Sequence, residues 1–108
     1  RRTDEPAVLA TERLRLHVNA HEAYLNDVKL ELTSKEFQLL SYLMQNAKRA
    51  LPADRLLNHV WGYDSHLDTK TLKVHIGQLR KKIERDPANP SAIVTIRGLG
   101  YKFDEPLL

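Results

Sequence analysis

No cysteine occurs among the 108 residues of this chain. A disulfide framework, a thiolate metal site and a cysteine nucleophile are therefore excluded. No apolar run approaches the roughly 20 residues that a helical membrane span needs. The opening residues, Arg1-Arg2-Thr3-Asp4-Glu5-Pro6, hold no apolar stretch of a secretory signal. The histidines His17, His21, His59, His66 and His75 form no H-E-x-x-H pattern. His17 and His21 are four apart, but in strand-and-turn text and not on a helix. Ser34, Ser41, Ser65 and Ser91 show no nucleophile-elbow pattern, and Asp54, Asp64 and Asp68 read as cap or loop residues. No catalytic residue, metal site or cofactor is expected, and the chain is not expected to be an enzyme. Repeats and low-complexity segments are also missing.

What is present suits one small domain. The hydrophobic fraction of 42% is enough for a single core and argues against disorder. The chain does not begin with Met. Residues 1–6 are expected to be the end of a linker, followed by one folded domain over 7–105, with a cytoplasmic location as the default. The net charge of +3 is mild, but it is unevenly spread. Residues 1–32 sum to −1, 33–66 to +1 and 67–108 to +3. Within the last third, 69–83 carries Lys70, Lys73, Arg80, Lys81 and Lys82 and no acid. Such a stretch can attract a polyanion, or it can be a solvated basic face.

Residues 7–32 read as short antiparallel strands. Val8-Leu9-Ala10 and Leu14-Arg15-Leu16-His17-Val18 are followed by a turn at Asn19-Ala20-His21. Ala23-Tyr24-Leu25 and Val28-Lys29-Leu30-Glu31-Leu32 then flank an Asn26-Asp27 hairpin turn. Thr33-Ser34-Lys35-Glu36 is a capping-box signature opening a helix over about 34–46, with the stripe Phe37, Leu40, Leu43, Met44 and Ala47 as core. A second helix follows Leu51-Pro52, buries Leu56, Leu57, Val60 and Trp61, and ends at Gly62. Asp68 can cap a third helix reaching about Glu84, whose core stripe is Leu72, Ile76, Leu79 and Ile83. After Asp86-Pro87-Ala88-Asn89-Pro90, residues 92–103 read as strand, glycine turn and strand. The order is sheet, three helices, hairpin: an α+β domain.

The third helix has an unusual outer face. Opposite its core stripe lie Lys70, Val74, Gly77 and Lys81, flanked by Lys73 and Gln78. Thr71, His75 and Lys82 fall on one shoulder and Arg80 on the other. Gly77 costs the helix about 1 kcal/mol against Ala. The DNA major groove admits one helix and offers matching partners: thymine methyls for Val74, adenine for the Gln78 amide, phosphates for the lysines. A protein-facing surface accounts for Val74 and Gly77 equally well. On the terminal hairpin, Arg97 stands beside Gly98 and Gly100, which allow a tight turn or the close approach of a ligand. An Arg there suits phosphate or the minor groove, and equally suits a solvent-exposed turn. Gly98-Leu99-Gly100 is no nucleotide loop, because a third Gly and a following helix are lacking.

These segments together resemble the winged helix-turn-helix effector domain of OmpR/PhoB-type two-component response regulators. The resemblance rests on Leu32-Thr33 with Glu36-Phe37 and Leu39-Leu40; on Leu56-Leu57 with Val60-Trp61-Gly62; on Thr71 with Val74-His75-Ile76, Leu79-Arg80 and Lys82; and on Thr95-Ile96-Arg97-Gly98-Leu99-Gly100-Tyr101. It runs from about Val8 to Phe103. It implies an N-terminal four-stranded antiparallel sheet, three helices and a C-terminal β-hairpin wing. The helix at about 68–84 is then expected in the major groove, and the wing around Arg97 in the minor groove. Lys70, Thr71, Lys73, Val74, His75, Gln78 and Arg80 match the family's DNA-facing helix positions, as do Thr95, Arg97 and Tyr101 on the wing. Lys81 joins them from the helix face itself.

The loop from Trp61 to Leu67, centred on Tyr63, Asp64, Ser65 and His66, matches the one implicated in contacting RNA polymerase. The resemblance further implies double-stranded DNA with direct-repeat half-sites, a head-to-tail dimer on DNA, a receiver domain elsewhere in the full protein, and no membrane contact. Membrane-anchored one-component regulators use the same domain. Four positions depart from the family pattern: Gly77 and Gln78 replace basic residues, Lys73 stands at an often acidic position, and Pro52 replaces a common Ser. Gln78 would favour adenine where Arg favours guanine. The rival reading is a protein-interaction module that kept the shape without the DNA, distinguished by a failure to shift DNA at low salt.

Overall fold

The computed structural model describes residues 8–63 and 67–108. The elements run β1 (Val8–Ala10), β2 (Leu14–His17), β3 (Glu22–Leu25), β4 (Val28–Leu30), α1 (Ser34–Gln45), β5 (Ala50–Pro52), α2 (Ala53–Trp61), α3 (Thr69–Ile83), β6 (Ile93–Ile96) and β7 (Gly100–Phe103). This is the winged helix-turn-helix order expected from the sequence, with one added strand.

Strands β1 to β4 form an antiparallel sheet in chain order. Register places Leu9 opposite Leu16, Leu16 opposite Ala23 and Leu14 opposite Leu25. Period-two alternation thus turns Leu9, Leu14, Leu16 and Ala23 to one face, where all four are buried. Asn26 and Asp27 take φ of 51° and 67°, the paired left-handed values of a two-residue hairpin turn that short polar side chains tolerate.

Thr33 and Glu36 close the capping box as expected. The Glu36 amide donates to Thr33 Oγ1 at 3.1 Å, and the Thr33 amide donates to Glu36 Oε1 at 3.0 Å. Helix α1 then buries Phe37, Leu39, Leu40, Leu43 and Met44. Leu39 is outside the stripe read from periodicity. It is buried because α1 packs between the first sheet and the other two helices, so more than one of its sides is covered.

Glu36 also receives Lys82 Nζ at 2.6 Å, so α3 is tied to the entrance of α1. Burial pushes the Glu36 carboxyl up, but the Lys82 ammonium and the Thr33 amide together outweigh it and hold it below its ordinary value of 4.5. Stability from this group is therefore present above that ordinary value and is lost as pH falls through the lower folded one. Glu36→Gln is expected to lose less stability than the wild type between pH 7 and about pH 3. Urea unfolding at both pH values checks this, and equal losses in the two proteins count against it.

The glycine turn of the terminal hairpin contains two different glycines. Gly98 takes φ of 78°, and the Leu99 amide closes the turn onto Ile96 O at 3.0 Å. Gly100 instead faces the chain's own backbone. It pairs with Pro52, so β5 lies on β7 and the second sheet has the order β5-β7-β6. Strand β5 is the element that the sequence reading did not contain. It also settles how α2 begins: Pro52 offers no side-chain cap, and the Ala53 amide donates to Leu99 O at 3.0 Å instead.

Helix α3 starts at Asp68, whose Oδ1 accepts the Thr71 amide at 3.1 Å. It buries Leu72, Ile76, Leu79 and Ile83, as its periodicity predicts. At its far end, Arg13 Nη1 donates to Ile83 O at 2.9 Å while Nη2 meets Glu105 at 2.8 Å. Among the described residues, no helix is long and apolar enough to cross a membrane.

Candidate nucleic-acid interface

Burial of one stripe fixes what α3 presents on its other side. Lys70, Lys73, Val74, Gln78 and Lys81 are all exposed, and Gly77 is half-exposed between them. Val74 keeps 56% of its surface open, unusual for a β-branched side chain on a helix that has a core to pack against. Nothing lies within 4 Å of a Cβ built on Gly77, so internal packing does not call for glycine there. No acid stands within Thr69–Ile83. Glu84, just beyond, is buried and fully occupied by main-chain amides. The face is thus a cationic ridge carrying one apolar side chain and one amide.

The shoulders are busier. His75 Nδ1 lies 2.9 Å from Thr71 O, and a carbonyl can only accept, so Nδ1 carries the hydrogen. The same ring meets the Trp61 ring edge-on at 4.8 Å. Thr71 and His75 are half-buried, between the core and the ridge. On the opposite shoulder Arg80 turns toward the hairpin. Its Nε and Nη2 donate to Ile93 O at 3.0 and 2.8 Å, and Nη2 also reaches Thr95 Oγ1 at 2.9 Å. The guanidinium carbon lies 5.7 Å from the centre of the Tyr101 ring. Lys82 is spent on Glu36 and on Glu31 O, at 2.6 and 2.9 Å.

On the hairpin, Thr95 and Tyr101 are cross-strand partners and Arg97 is exposed in the turn. The candidate residues therefore separate into four groups, one of them the half-buried shoulder of Thr71 and His75 beside Trp61. Lys70, Lys73, Val74, Gln78 and Lys81 form the open ridge. Arg80, Thr95 and Tyr101 touch one another where helix meets hairpin. Arg97 stands at the hairpin's end. Sequence reasoning placed Arg80 on its own shoulder, apart from Thr71 and His75. It did not foresee that the guanidinium is turned inward to Ile93 O. Tyr63, in the loop after Gly62, is 86% exposed. Asp64, Ser65 and His66 lie outside the described residues. Among the described residues, no group of three or more His, Asp or Glu side chains is placed to hold a metal ion.

Residues 27–103 match the family model described as "Transcriptional regulatory protein, C terminal". The chain is 50% identical over 97 residues to the sensory transduction protein RegX3 of Mycobacterium leprae, covering 90% of this chain and 49% of that protein. It is 50% identical over 93 residues to the alkaline phosphatase synthesis transcriptional regulatory protein PhoP of Bacillus subtilis, covering 86% and 39%. The chain thus spans about half the length, or less, of these curated relatives. Among solved structures it resembles the response regulator DrrB, an OmpR/PhoB homolog from Thermotoga maritima, with a TM-score of 0.86 and 28% identity over 94% of this chain and 46% of that one. It also resembles the Klebsiella pneumoniae RstA DNA-binding domain, solved in complex with the RstA box, with a TM-score of 0.83 and 25% identity over 92% and 98%.

Proposed function

This chain belongs to the transcriptional regulatory protein C-terminal family, and from that premise we propose that it binds double-stranded DNA sequence-specifically as the effector domain of a two-component response regulator. The observation that carries this is the exposed ridge of α3: cations without an acid, interrupted by Val74 at 56% exposure and by the Gln78 amide. A merely solvated face has no use for Val74, whereas a thymine methyl does. Gln78 supplies the donor and acceptor that adenine N7 and N6 require. Lys70, Lys73 and Lys81 neutralise phosphates along the groove edges and carry affinity without sequence information. The wing brings Arg97 to the adjacent minor groove, where a narrow, electronegative site favours an Arg. That RstA, a structure of the same fold, was solved with its DNA box supports the reading.

Further partners follow as proposals. The loop around Tyr63 contacts RNA polymerase, two copies sit head to tail on direct repeats, and a receiver domain governs their assembly in the cytoplasm. No catalytic role is assigned.

Selection of bound sites from random duplex DNA tests the function. A repeated half-site with a preferred base pair facing Gln78 is expected. Gln78→Ala should lose about 1–3 kcal/mol at that pair and relax the preference there alone. An unaltered base preference in the variant removes Gln78 from the reading role. Failure to shift any duplex at low salt removes DNA itself.

A further inference from the structure

We infer that Arg80 is a positioning residue, a clamp that locks the wing to the recognition helix so that both engage DNA as one rigid body; the DNA part of this rests on the function proposed above. Ile93 opens β6, the edge strand of its sheet. Both of its main-chain polar groups are held by the end of α3, one by Arg80 within the helix and one by Glu84, the residue that caps it. Its carbonyl takes two Arg80 donors, at 3.0 and 2.8 Å, and its amide donates to Glu84 Oε2 at 2.8 Å. Arg80 and Glu84 are four residues apart, one helical turn, so they meet the same strand residue from one side. Glu84 extends the grip to the Ser91 and Ala92 amides through Oε1, both bonds 2.8 to 3.1 Å long.

Arg80 then reaches further out, to Thr95 Oγ1 at 2.9 Å and over the Tyr101 ring. Three guanidinium N–H groups are committed to the hairpin in a planar fork that Lys cannot reproduce. Ile93 and Phe103 bury the base of the hairpin in the core and β5 flanks β7, so the base is fixed by packing, while the outer part toward Arg97 has less to hold it. Arg80, through Thr95 and Tyr101, is the tie from α3 to that outer part of the wing. The cost of losing it appears as lost coupling between the two DNA-facing elements more than as one lost phosphate contact.

The test is a double-mutant cycle on this chain, combining Arg80→Lys with Arg97→Ala, read by affinity for the selected duplex. With Arg80 present, Arg97→Ala is expected to weaken binding roughly tenfold; in the Arg80→Lys background it should cost no more than about twofold, because contacts that share a rigid body are non-additive. Amide exchange without DNA is the second readout. Arg80→Lys should speed exchange in β6 and β7 while leaving β2 and β3 unchanged. Thr95→Val, which removes one acceptor and keeps the strand's shape, should move both readouts the same way by less. If Arg97→Ala costs the same in both backgrounds, including nothing in both, the clamp does not act in DNA binding. If the wild-type chain binds no duplex, the proposed function fails, and the hairpin amides alone judge the clamp: unchanged exchange overturns it and faster exchange upholds it.

Discussion

Gly100→Ala is expected to destabilise the domain by on the order of 4 kcal/mol and to lower its melting temperature by roughly 20 °C. A Cβ at Gly100 would lie 2.1 Å from Leu51 O, 2.7 Å from Ala53 N and 3.0 Å from Pro52 C. All three are backbone atoms, so no side chain can swing aside. Relief comes only by separating β5 from β7. That separation exposes Leu51, now 2% exposed, and draws the Leu99 carbonyl from the Ala53 amide that begins α2. Gly98→Ala is the control. It has open space around its Cβ and a φ of 78°, so its cost is the left-handed backbone alone, about 1–2 kcal/mol. Thermal melts of both variants measure the contrast. A Gly100→Ala melt within a few degrees of wild type would mean that β5 yields without loss.

These glycines also mark where sequence reasoning stops. Gly98 and Gly100 received one explanation between them, a tight turn or the approach of a ligand. The turn is real at Gly98, while what approaches Gly100 is Leu51-Pro52, about fifty positions earlier in the chain. Features governed by neighbours within four residues were legible: the Thr33/Glu36 box, the Asn26-Asp27 turn, the Asp68 cap, the core stripe of α3 and the ridge opposite it. Strand β5 was not, because three residues carry no periodicity and its partner is distant. Leu39 escaped for a related reason, since a periodic stripe assumes that one side of a helix is covered and α1 is covered on more. Arg80 shows the same boundary inside the candidate site. Its angular position was readable, but whether its fork turns outward or toward Ile93 depends on where β6 lies. Glu36 and Lys82 are separated by 46 positions, and nothing local announces their bond.

Raising salt from 50 to 200 mM is expected to weaken DNA binding roughly 250- to 1,000-fold, for a slope of log affinity on log salt of about −4 to −5. The slope counts phosphates neutralised, so the cations available to neutralise them must first be identified. Net charge is a poor guide, because many basic groups are already engaged. Arg13 is paired with Glu105 and Lys82 with Glu36. Lys48 and Lys102 share Asp104, at 3.4 and 3.5 Å. Burial pushes the Asp104 carboxyl up, but the two ammonium groups prevail and hold it below the usual carboxylate range, so both lysines stay matched at neutral pH. Lys70, Lys73, Lys81 and Arg97 are exposed, and among the described residues none of them has an ion-pair partner. Four free cations, with polar groups of the wing beside them, account for the lower end of the range. Lys81→Ala should therefore weaken every duplex alike and flatten the slope by about 0.9. Lys102→Ala should leave it unchanged, and so should Gln78→Ala, which reads a base and neutralises nothing. Titrations at three salt concentrations with each variant separate these roles. A wild-type slope shallower than about −2 would mean that the α3 ridge does not lie along the phosphates.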